Sequence, residues 1–449
     1  MAEPRLPAAV IGDAHTSNGS WDLLEELVEI ENRMAGQEGE RAGAEAVAAT
    51  FEGFGLDGIE IEEFEIPGWW RGTSSLALPD REKTYDSQHQ VIALPGTPAA
   101  EVSGELVDLG YGLPEDFDNT DLDGKIAMVR SDTPDDVDHW YHRMEKCAFA
   151  VEAGADGYVF RNHVEGCLPP TGEVGYHNRP APLPSVGVSW ELGARLSRYC
   201  GDGDPHVELS IDCRNEPTTT QNVEAVVGPD TEQEVIVTAH VDGHDIAEGA
   251  SDNGVGSALV PEIGRLLSQV EDDLDTRIRL VTVGAEEIGL YGAYHLAETA
   301  DRDRVKCVMN IDGAGGSRTP KVRRDNTFEA MAAPFETVAD RLDIPFPVEH
   351  DIGPHGDCWA WTERGVPAVT VGSEVDRSGR GWGHTHADSL DKLDPRDLRS
   401  LAVAYTSALL ELADDSYTFP KKEPEEIREE IADSYERELR AGNRWHFGT

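Results

Sequence analysis

Histidines and carboxylates follow three strand-like segments of this sequence, at the point where each segment ends. His240 closes EVIVTAH, Glu286 and Glu287 follow RIRLVTVGA, and Asp312 follows KCVMNI. In an open α/β sheet, ligands bind outside the carboxyl ends of the strands. We therefore expect these side chains to gather in one crevice, where imidazole and carboxylate groups can hold metal ions.

A turn and a late loop add further candidates. Asp252 lies in GASDNG, directly before a helical pattern of apolar residues. Paired metals about 3.5–4 Å apart need a bridging group, and a carboxylate can supply it, so Asp252 is a candidate bridging ligand. His384 and His386 in GWGHTHADS are alternative ligands, because a spacing of two places both on one face of an extended segment.

The adjacent acids Glu286 and Glu287 can have two different chemical roles, because neighbouring residues at a strand end point in different directions. One of Glu286 and Glu287 can bind metal, while the other takes a proton from water and delivers it to a leaving amine. A metal-binding histidine usually has its second ring nitrogen held by a carboxylate or carbonyl. Asp242, two residues after His240, is the candidate for that role.

Each candidate also has an ordinary structural interpretation. His240 fits a hydrogen-bonded core histidine, Asp252 a helix N-cap, and Asp312 an Asp-Gly turn. The pair of glutamates fits a solvated surface, and the late histidines fit a polar loop. Each single match is weak, and it is the ordered set that favours a metal site.

The composition is strongly acidic. The chain of 449 residues has 87 Asp and Glu against 38 Lys and Arg, a formal net charge of −49. Such a charge excludes non-specific nucleic-acid binding, which needs basic residues to displace counterions, and it argues against anionic membrane surfaces. Because the acids are spread through the sequence, we interpret the charge as adaptation to high salt. The alternative is an ordinary acidic cytosolic enzyme.

Neither the first residues nor the apolar runs of the sequence predict association with a membrane. The first twenty residues lack a basic segment followed by a long apolar one, so we expect no signal peptide. No run approaches the ~18 apolar residues of a membrane span, and a soluble, cytoplasmic protein is the expectation. The cysteines lack CxxC spacing and are expected to be buried reduced thiols, with a Cys200–Cys213 bridge as the alternative.

The order of the predicted elements indicates an interrupted α/β domain. SWDLLEELVEIENRMAG and GERAGAEAVAATFEGFG are helical patterns, and from QNVEAVVGP onward strands alternate with helices. We predict a mixed, mostly parallel sheet flanked by helices, built from residues 1–88 and 218–449 and interrupted by a β-rich insert at 89–217. The final EPEEIREEIADSYERELRAG predicts a charged helix that packs on the surface or on a partner.

The motifs together resemble a known family. HVD, ASDNGVG, GAEEIGLYGA, NIDG and HTHADS are similar to those of the co-catalytic dizinc aminopeptidases of the aminopeptidase Y type. That family includes carboxypeptidase Q-like enzymes, glutamate carboxypeptidases and the non-enzymatic transferrin receptors. The resemblance implies the zinc exopeptidase fold and two zinc ions, with cobalt or manganese as substitutes.

The resemblance also implies a role for each site residue. It places one zinc on His240, Asp252 and Asp312, and the other on Asp252, Glu287 and His384. Glu286 matches the general base and Asp242 the carboxylate that orients the histidine. His384 is preferred over His386 because the family pattern His-Thr-x-x-Asp-Thr/Ser fits HTHADS from its first histidine.

Three further features follow from the resemblance. HGDCWAWTERGVPAVTVG is similar to the family's segment beside the active site, with Asp357 at the matching aspartate. The peptide bond between Asp252 and Asn253 is expected to be cis. The insert resembles a protease-associated domain on DLDGKIAMVRSD and KCAFAVEAGADGYVFRN, a domain that covers or shapes the substrate cleft and is not expected to carry catalytic residues.

The implied function is that of a zinc-dependent aminopeptidase acting on peptides. A hydroxide bridging the metals attacks the scissile carbonyl, with Glu286 as general base. One alternative is a carboxypeptidase or dipeptidase using the same site, for which Arg377 and Arg380 are candidate carboxylate-binding residues. Another is a non-catalytic receptor or scaffold, which predicts broken ligand positions. The sequence leaves homo-oligomerisation open.

Overall fold

Within residues 5–203, 205–375 and 381–448, which the structure describes, one mixed sheet of 13 strands forms the frame of the molecule. The structure is a computed structural model. The strands are β1 (Asp57–Leu78), β2 (Lys83–Tyr85), β3 (Val91–Ala93), β4 (Ala100–Asp108), β5 (Lys125–Arg130), β6 (Gly157–Arg161), β7 (Ser185–Val188), β8 (His206–Val227), β9 (Glu234–His240), β10 (Arg277–Val283), β11 (Val305–Ile311), β12 (Pro320–Arg324) and β13 (Ala368–Ser373).

Helices cover the sheet and connect its strands. They are α1 (Ala8–Thr16), α2 (Gly19–Val28), α3 (Glu38–Phe54), α4 (Pro114–Asp118), α5 (Arg143–Glu152), α6 (Trp190–Gly201), α7 (Val255–Ser268), α8 (Tyr291–Thr299), α9 (Ala332–Leu342), α10 (Trp359–Thr362), α11 (Pro395–Leu412), α12 (Pro424–Glu430) and α13 (Asp433–Ala441). No helix of the described residues is long and apolar enough to cross a membrane.

The central strands of the sheet are parallel. β9 lies between β10 and β11, and β13 follows β11, with every pair parallel. All residues of β9 and β11 are buried, as expected for strands covered on both faces, which explains their continuous apolar runs. Their carboxyl ends meet at one edge of the sheet, where His240 pairs with Val283. The predicted fold class is confirmed.

The insert is continuous with the rest of the sheet. β4 to β7 run parallel within it, and β3 pairs antiparallel at its edge. β1 and β8 are each 22 residues long and pair antiparallel from Asp57↔Val226 to Ala77↔Glu208. The predicted boundary between residues 217 and 218 falls inside β8, and the domain limits stay a prediction.

The first predicted helix ends early. α2 stops at Val28, although the helical pattern continues to Gly36. The backbone of Asn32 explains the difference, because it is left-handed with φ of 59° and a right-handed helix cannot continue through it. The buried guanidinium of Arg33 then donates to the carbonyls of Leu27 at 2.6 Å and Val241 at 3.2 Å.

The predicted C-terminal helix is wrong in one respect. It consists of two short helices, α12 and α13, because the backbone at Ile431 is extended and its side chain enters the core. α13 packs against α5 of the insert through a face that includes Tyr435 and Leu439, and its other face is exposed, as expected for a charged helix that packs on the surface.

None of the six cysteines, all of which lie in the described residues, forms a disulfide, so the alternative of a bridge between Cys200 and Cys213 is wrong. The expectation of buried thiols is correct for Cys147, Cys307 and Cys358 only. Cys200 and Cys213 are half-buried, and Cys167 is exposed.

Candidate metal centre and active site

His240 lies at the carboxyl end of β9 with both ring nitrogens engaged. Nδ1 is 3.1 Å from the backbone carbonyl of Asp242 and 3.5 Å from its Oδ1. Since a carbonyl only accepts, Nδ1 donates, and Nε2 is left to face Asp252 Oδ1 at 3.4 Å. This is the arrangement of a metal-binding histidine, one nitrogen oriented by the protein and the other presented to the cation.

Asp252 lies between two histidines. Its Oδ1 faces His240, and its Oδ2 is 3.2 Å from Nε2 of His384. Burial alone would raise the pKa of Asp252, but hydrogen bonds from the two imidazoles hold it well below its usual value. The N-cap interpretation is wrong, because the residue preceding α7 is Gly254 and no side chain caps that helix. The peptide bond between Asp252 and Asn253 is cis, as the resemblance implied.

The other candidates converge on the same two histidines. Single ligand atoms of His240, Asp252 and Asp312 lie within 4.8 Å of one another. Nε2 of His384 is 3.3 Å from Oε2 of Glu287. The structure therefore brings together both predicted ligand sets around a shared Asp252.

His386 points elsewhere. Its ring meets His89 edge-on with centroids 4.7 Å apart, and it belongs to no cluster of metal-ligating side chains among the described residues. Burial lowers its pKa to about 4. Of the two alternatives, His384 is the one at the cluster.

Glu286 and Glu287 are fixed by Asp242. The backbone N–H of Glu286 donates to Asp242 Oδ1 at 3.1 Å, and that of Glu287 donates to Oδ2 at 3.0 Å. Asp242 therefore holds the turn that carries both acids in addition to contacting His240. Burial raises the pKa of Glu286 well above its usual value and that of Glu287 to about 7.

The unpaired oxygens of this cluster fit bound cations. Oε1 of Glu287 and both carboxylate oxygens of Asp357 are buried without a hydrogen-bond partner among the described residues. Burial also raises the pKa of Asp357 to about 7. Buried ionised carboxylates without partners are costly unless a cation balances them. Mixed imidazole and carboxylate donors are a set that zinc accepts.

Two supporting acids were missed by sequence reasoning. Glu40 on α3 accepts hydrogen bonds from the Ala285 N–H at 2.8 Å and from Thr220 Oγ1 at 2.7 Å, directly behind the glutamate turn. Burial raises its pKa to about 8. A side chain at Gly284 would meet Thr220 Oγ1 at 2.2 Å, so glycine permits this approach. Sequence gave no signal for Glu40, which is one acid among many.

Asp388 supports the backbone at Asp252 in the same way. Its oxygens accept from the backbone N–H of Ser251 at 2.8 Å and of Asp252 at 3.1 Å. Burial raises its pKa to about 6. The motif HTHADS contained the signal, since this aspartate follows His384 by four residues.

His244 is a third unpredicted member of the site. Its Nε2 is 2.8 Å from Glu287 Oε2 and 3.3 Å from His384 Nδ1. Burial lowers its pKa to about 3 and keeps the imidazole neutral. Its place in HVDGHD, directly after β9, was the available signal.

The insert contacts the site directly. Thr171 donates its backbone N–H to the His384 carbonyl at 2.9 Å, and its own carbonyl lies 3.2 Å from His384 Nδ1. The insert thus helps to direct Nε2 of His384 toward Asp252 and Glu287. A pocket of about 310 Å³ lies between the two parts and is lined by Glu286 and Glu287 on one side and by residues of the insert on the other.

A second cluster borders this pocket. His142 of the insert stacks on His355 with ring centroids 3.8 Å apart, and His355 Nε2 is 2.8 Å from Glu438 Oε2. Ligand atoms of the three residues lie within 4.8 Å of one another. Arg444 contacts the other oxygen of Glu438 and already supplies the balancing charge, so this cluster joins three parts of the chain. The predicted carboxylate-binding candidates Arg377 and Arg380 lie outside the described residues.

The fold and the site define a metallo-exopeptidase with an inserted β-rich domain. Residues 222–408 match the model of peptidase family M28, and residues 102–196 match that of the PA domain. The predicted family resemblance, the PA insert and the enzyme class are confirmed.

Curated relatives cover nearly the whole chain. Aminopeptidase YwaD of Bacillus subtilis is 25% identical over 429 residues, 92% of this chain and 87% of its own length. Carboxypeptidase Q of Xenopus laevis is 24% identical over 430 residues, 94% of this chain and 91% of its own length. An aminopeptidase and a carboxypeptidase are therefore similar to this chain at nearly the same sequence identity.

Solved structures share the fold. The M28 peptidase precursor of Shewanella amazonensis superposes with a TM-score of 0.73 at 24% identity, covering 92% of this chain and 97% of that chain. The zinc aminopeptidase BSAP of Bacillus subtilis gives 0.68 at 23% identity, covering 90% and 97%.

Proposed function

We propose that this protein is a zinc-dependent aminopeptidase that hydrolyses N-terminal residues from peptides. The observation that carries the proposal is the position of Asp252, whose two oxygens face Nε2 of His240 and Nε2 of His384. A carboxylate shared between two histidines in this way suits a pair of cations.

In this proposal one zinc is held by His240, Asp252 and Asp312, and the other by Asp252, Glu287 and His384. Bound zinc supplies Lewis acidity toward the scissile carbonyl and lowers the pKa of water. Cobalt or manganese would satisfy the same donors. The unpaired oxygens of Glu287 and Asp357 support a requirement for positive charge here.

Glu286 is the proposed general base. It lines the pocket beside the proposed metal ligands, which is where a group that takes and releases a proton must lie. Glu286 takes the proton of the attacking water and passes it to the leaving amine. Asp242 keeps Glu286 in place through the backbone hydrogen bond at 3.1 Å.

A second candidate function is that of a carboxypeptidase or dipeptidase. The observation favouring it is that Arg143 and Arg444 line the same pocket, since arginine suits recognition of a substrate carboxylate. A non-catalytic scaffold is disfavoured, because every predicted ligand and Glu286 are retained.

The test compares peptides that differ at one end only. A tripeptide with a free amine, its N-acetyl form and its C-terminal amide are incubated with the protein and zinc in high salt, and the products are identified by mass. Release of the first residue from the free-amine and amidated peptides alone supports an aminopeptidase. Cleavage of the N-acetyl peptide at its C-terminal bond would instead support a carboxypeptidase. If no tripeptide is cleaved, a free dipeptide is tested: its cleavage would support a dipeptidase, and no cleavage of it would support a scaffold.

A further inference from the structure

Arg33, in the segment between α2 and α3, is a buried cation that contacts the backbone of the candidate metal site. Its residue is 3% exposed, and all three nitrogens of its guanidinium donate hydrogen bonds. The acceptors are backbone carbonyls, those of Leu27 at 2.6 Å, Glu248 at 2.8 Å, Gly249 at 2.8 Å and Val241 at 3.2 Å. Three of these four carbonyls belong to the connection between β9 and α7, residues 241–254.

The β9–α7 connection carries two aspartates of the site, one near each end. Asp242 follows Val241 directly, and Asp252 comes three residues after Gly249. Because the guanidinium of Arg33 binds the carbonyls of both Val241 and Gly249, it ties the backbone beside one aspartate to the backbone beside the other. Gly249 has φ of 58°, and a Cβ there would lie 2.9 Å from Nη2 of Arg33, so glycine permits this close approach.

The charge of Arg33 is retained and is balanced at a distance. Burial lowers the pKa of Arg33 to about 10, and Asp388, Asp242 and Glu248 act against that lowering. The guanidinium therefore stays protonated at neutral pH. A positive charge near the ligands would by itself repel a bound cation, so any contribution of Arg33 to metal binding must come through geometry.

We propose that Arg33 is a positioning residue of the metal centre, which holds the β9–α7 connection in the shape that places the Asp252 carboxylate between His240 and His384. A guanidinium suits this role, because its planar set of N–H donors reaches carbonyls on several sides at once. Since Asp252 is the ligand that the two proposed zinc sites share, both sites depend on Arg33. This inference rests on the proposed binding of zinc.

The experiment titrates the zinc-free wild type and Arg33→Lys with zinc, in competition with a zinc-binding dye and at a temperature where both proteins are folded. Arg33→Lys keeps the charge but loses the planar donors, and its zinc affinity should fall about 10–100-fold, the usual effect of removing a group that orients ligands. Arg279→Lys is the matched control. Arg279 is half-buried and donates to Glu234 at 3.1 Å, at the start of β9, so its replacement should leave the zinc affinity unchanged.

Arg33→Met separates geometry from charge. Loss of positioning weakens zinc binding in this variant as it does in Arg33→Lys, whereas loss of a charge that only repels zinc would strengthen it. Wild-type affinity in Arg33→Lys would overturn the inference, and so would stronger zinc binding by Arg33→Met. An equal loss in Arg279→Lys would overturn it as well, because the effect would then be one of general stability.

Hydrogen exchange of the zinc-free proteins, followed by mass spectrometry, tests the positioning without metal. Peptides that cover residues 241–252 should exchange at least about 10-fold faster in Arg33→Lys than in the wild type, because the connection opens more often. Equal exchange there would overturn the inference. If the wild type binds no zinc, the proposed function fails, and this measurement still decides whether Arg33 holds the connection.

If neither Arg33 variant folds, Gly249→Ala tests the same contact with the arginine in place. Its methyl group would lie 2.9 Å from Nη2 and must displace the guanidinium or the connection, so zinc affinity should fall. Gly154→Ala is the control for left-handed strain alone, because Gly154 has φ of 80° and the added methyl group would meet no atom of the described residues within 4 Å. Wild-type zinc affinity in Gly249→Ala would overturn the inference.

Discussion

Glu286 and Glu287 are adjacent in sequence but differ in surroundings. Glu287 Oε2 is 2.8 Å from His244 and 3.3 Å from His384, within the metal-ligating cluster. A ligand atom of Glu286 lies within 4.8 Å of His240 and Glu287, without a contact as short as those of Glu287, and both glutamates line the pocket. We assign Glu287 as the ligand because of its two short histidine contacts, and Glu286 as the group that transfers the proton, which is a division of roles that a substitution can test.

Replacing Glu286 by Gln tests that division. The amide keeps the size of the side chain but cannot accept a proton, so kcat should fall at least ~10²-fold. Zinc content, measured by atomic absorption, should stay at the wild-type value. Turnover close to wild type would remove Glu286 as the base, and loss of zinc would reassign it as a ligand.

Asp388 holds the backbone of Asp252, the proposed bridging ligand. Asp388→Ala leaves the N–H groups of Ser251 and Asp252 without their acceptors. Removing such a supporting group typically costs about 10–100-fold in metal affinity, and we expect a loss of that size in a competition titration with a zinc-binding dye. Asp391→Ala, at an exposed acid nearby, is the control. Equal affinity in both variants would show that Asp388 does not position Asp252.

At the scale of elements, β1 and β8 join the PA insert to the catalytic part of the sheet. Their pairing extends from Asp57↔Val226 to Ala77↔Glu208 with register shifts at Asp57–Glu60 and Arg71–Ser74, and α13 packs on α5 of the insert. The contact of Thr171 with His384 depends on both connections. The insert is therefore a part of the site, although it supplies none of the proposed ligands.

This continuity predicts a single cooperative unfolding transition. Because neither part can open without breaking the β1–β8 ladder, the insert and the catalytic part should melt together. Differential scanning calorimetry in high salt should give one peak, and proteolysis during heating should cut both parts at the same temperature. Two separated peaks, or early loss of the insert alone, would contradict the prediction.

Many of the candidate site residues were predictable because they lie at the ends of strands, and apolar runs in the sequence predict where those strands end. The runs before His240 and Asp312 are buried on both faces, so their apolar sequences predicted the strands, and parallel strands place their ends together. Glu40 and Arg444 could not be found this way. Glu40 reaches the site from α3 and Arg444 from the irregular segment after α13, both through tertiary contacts far away in sequence, and no local pattern distinguishes either residue.

At the scale of the whole molecule, the main electrostatic feature is the formal net charge of −49. Self-repulsion among the acids is screened within roughly 10 Å at 0.1 M salt and roughly 3 Å at 1 M. We interpret the excess of acids as adaptation to high salt.

The unfolding temperature should therefore rise with salt. Between 0.1 M and 3 M KCl we expect an increase of several degrees, at about 1 °C for each kcal/mol gained, since the unfolding entropy is about 2.1 cal/mol/K per residue. Sucrose at matched osmolality is the control for effects unrelated to charge. An unfolding temperature that is constant or falls with KCl, while sucrose raises it, would contradict the interpretation.

The central claim is that hydrolysis depends on two zinc ions held at the shared Asp252. The most direct measurement removes metal with a chelator and returns zinc in known amounts, while bound zinc per chain and hydrolysis of a free-amine peptide are recorded together. We predict that the chelated protein is inactive and that full activity returns as two zinc ions bind. Hydrolysis that persists in the metal-free protein would contradict the account.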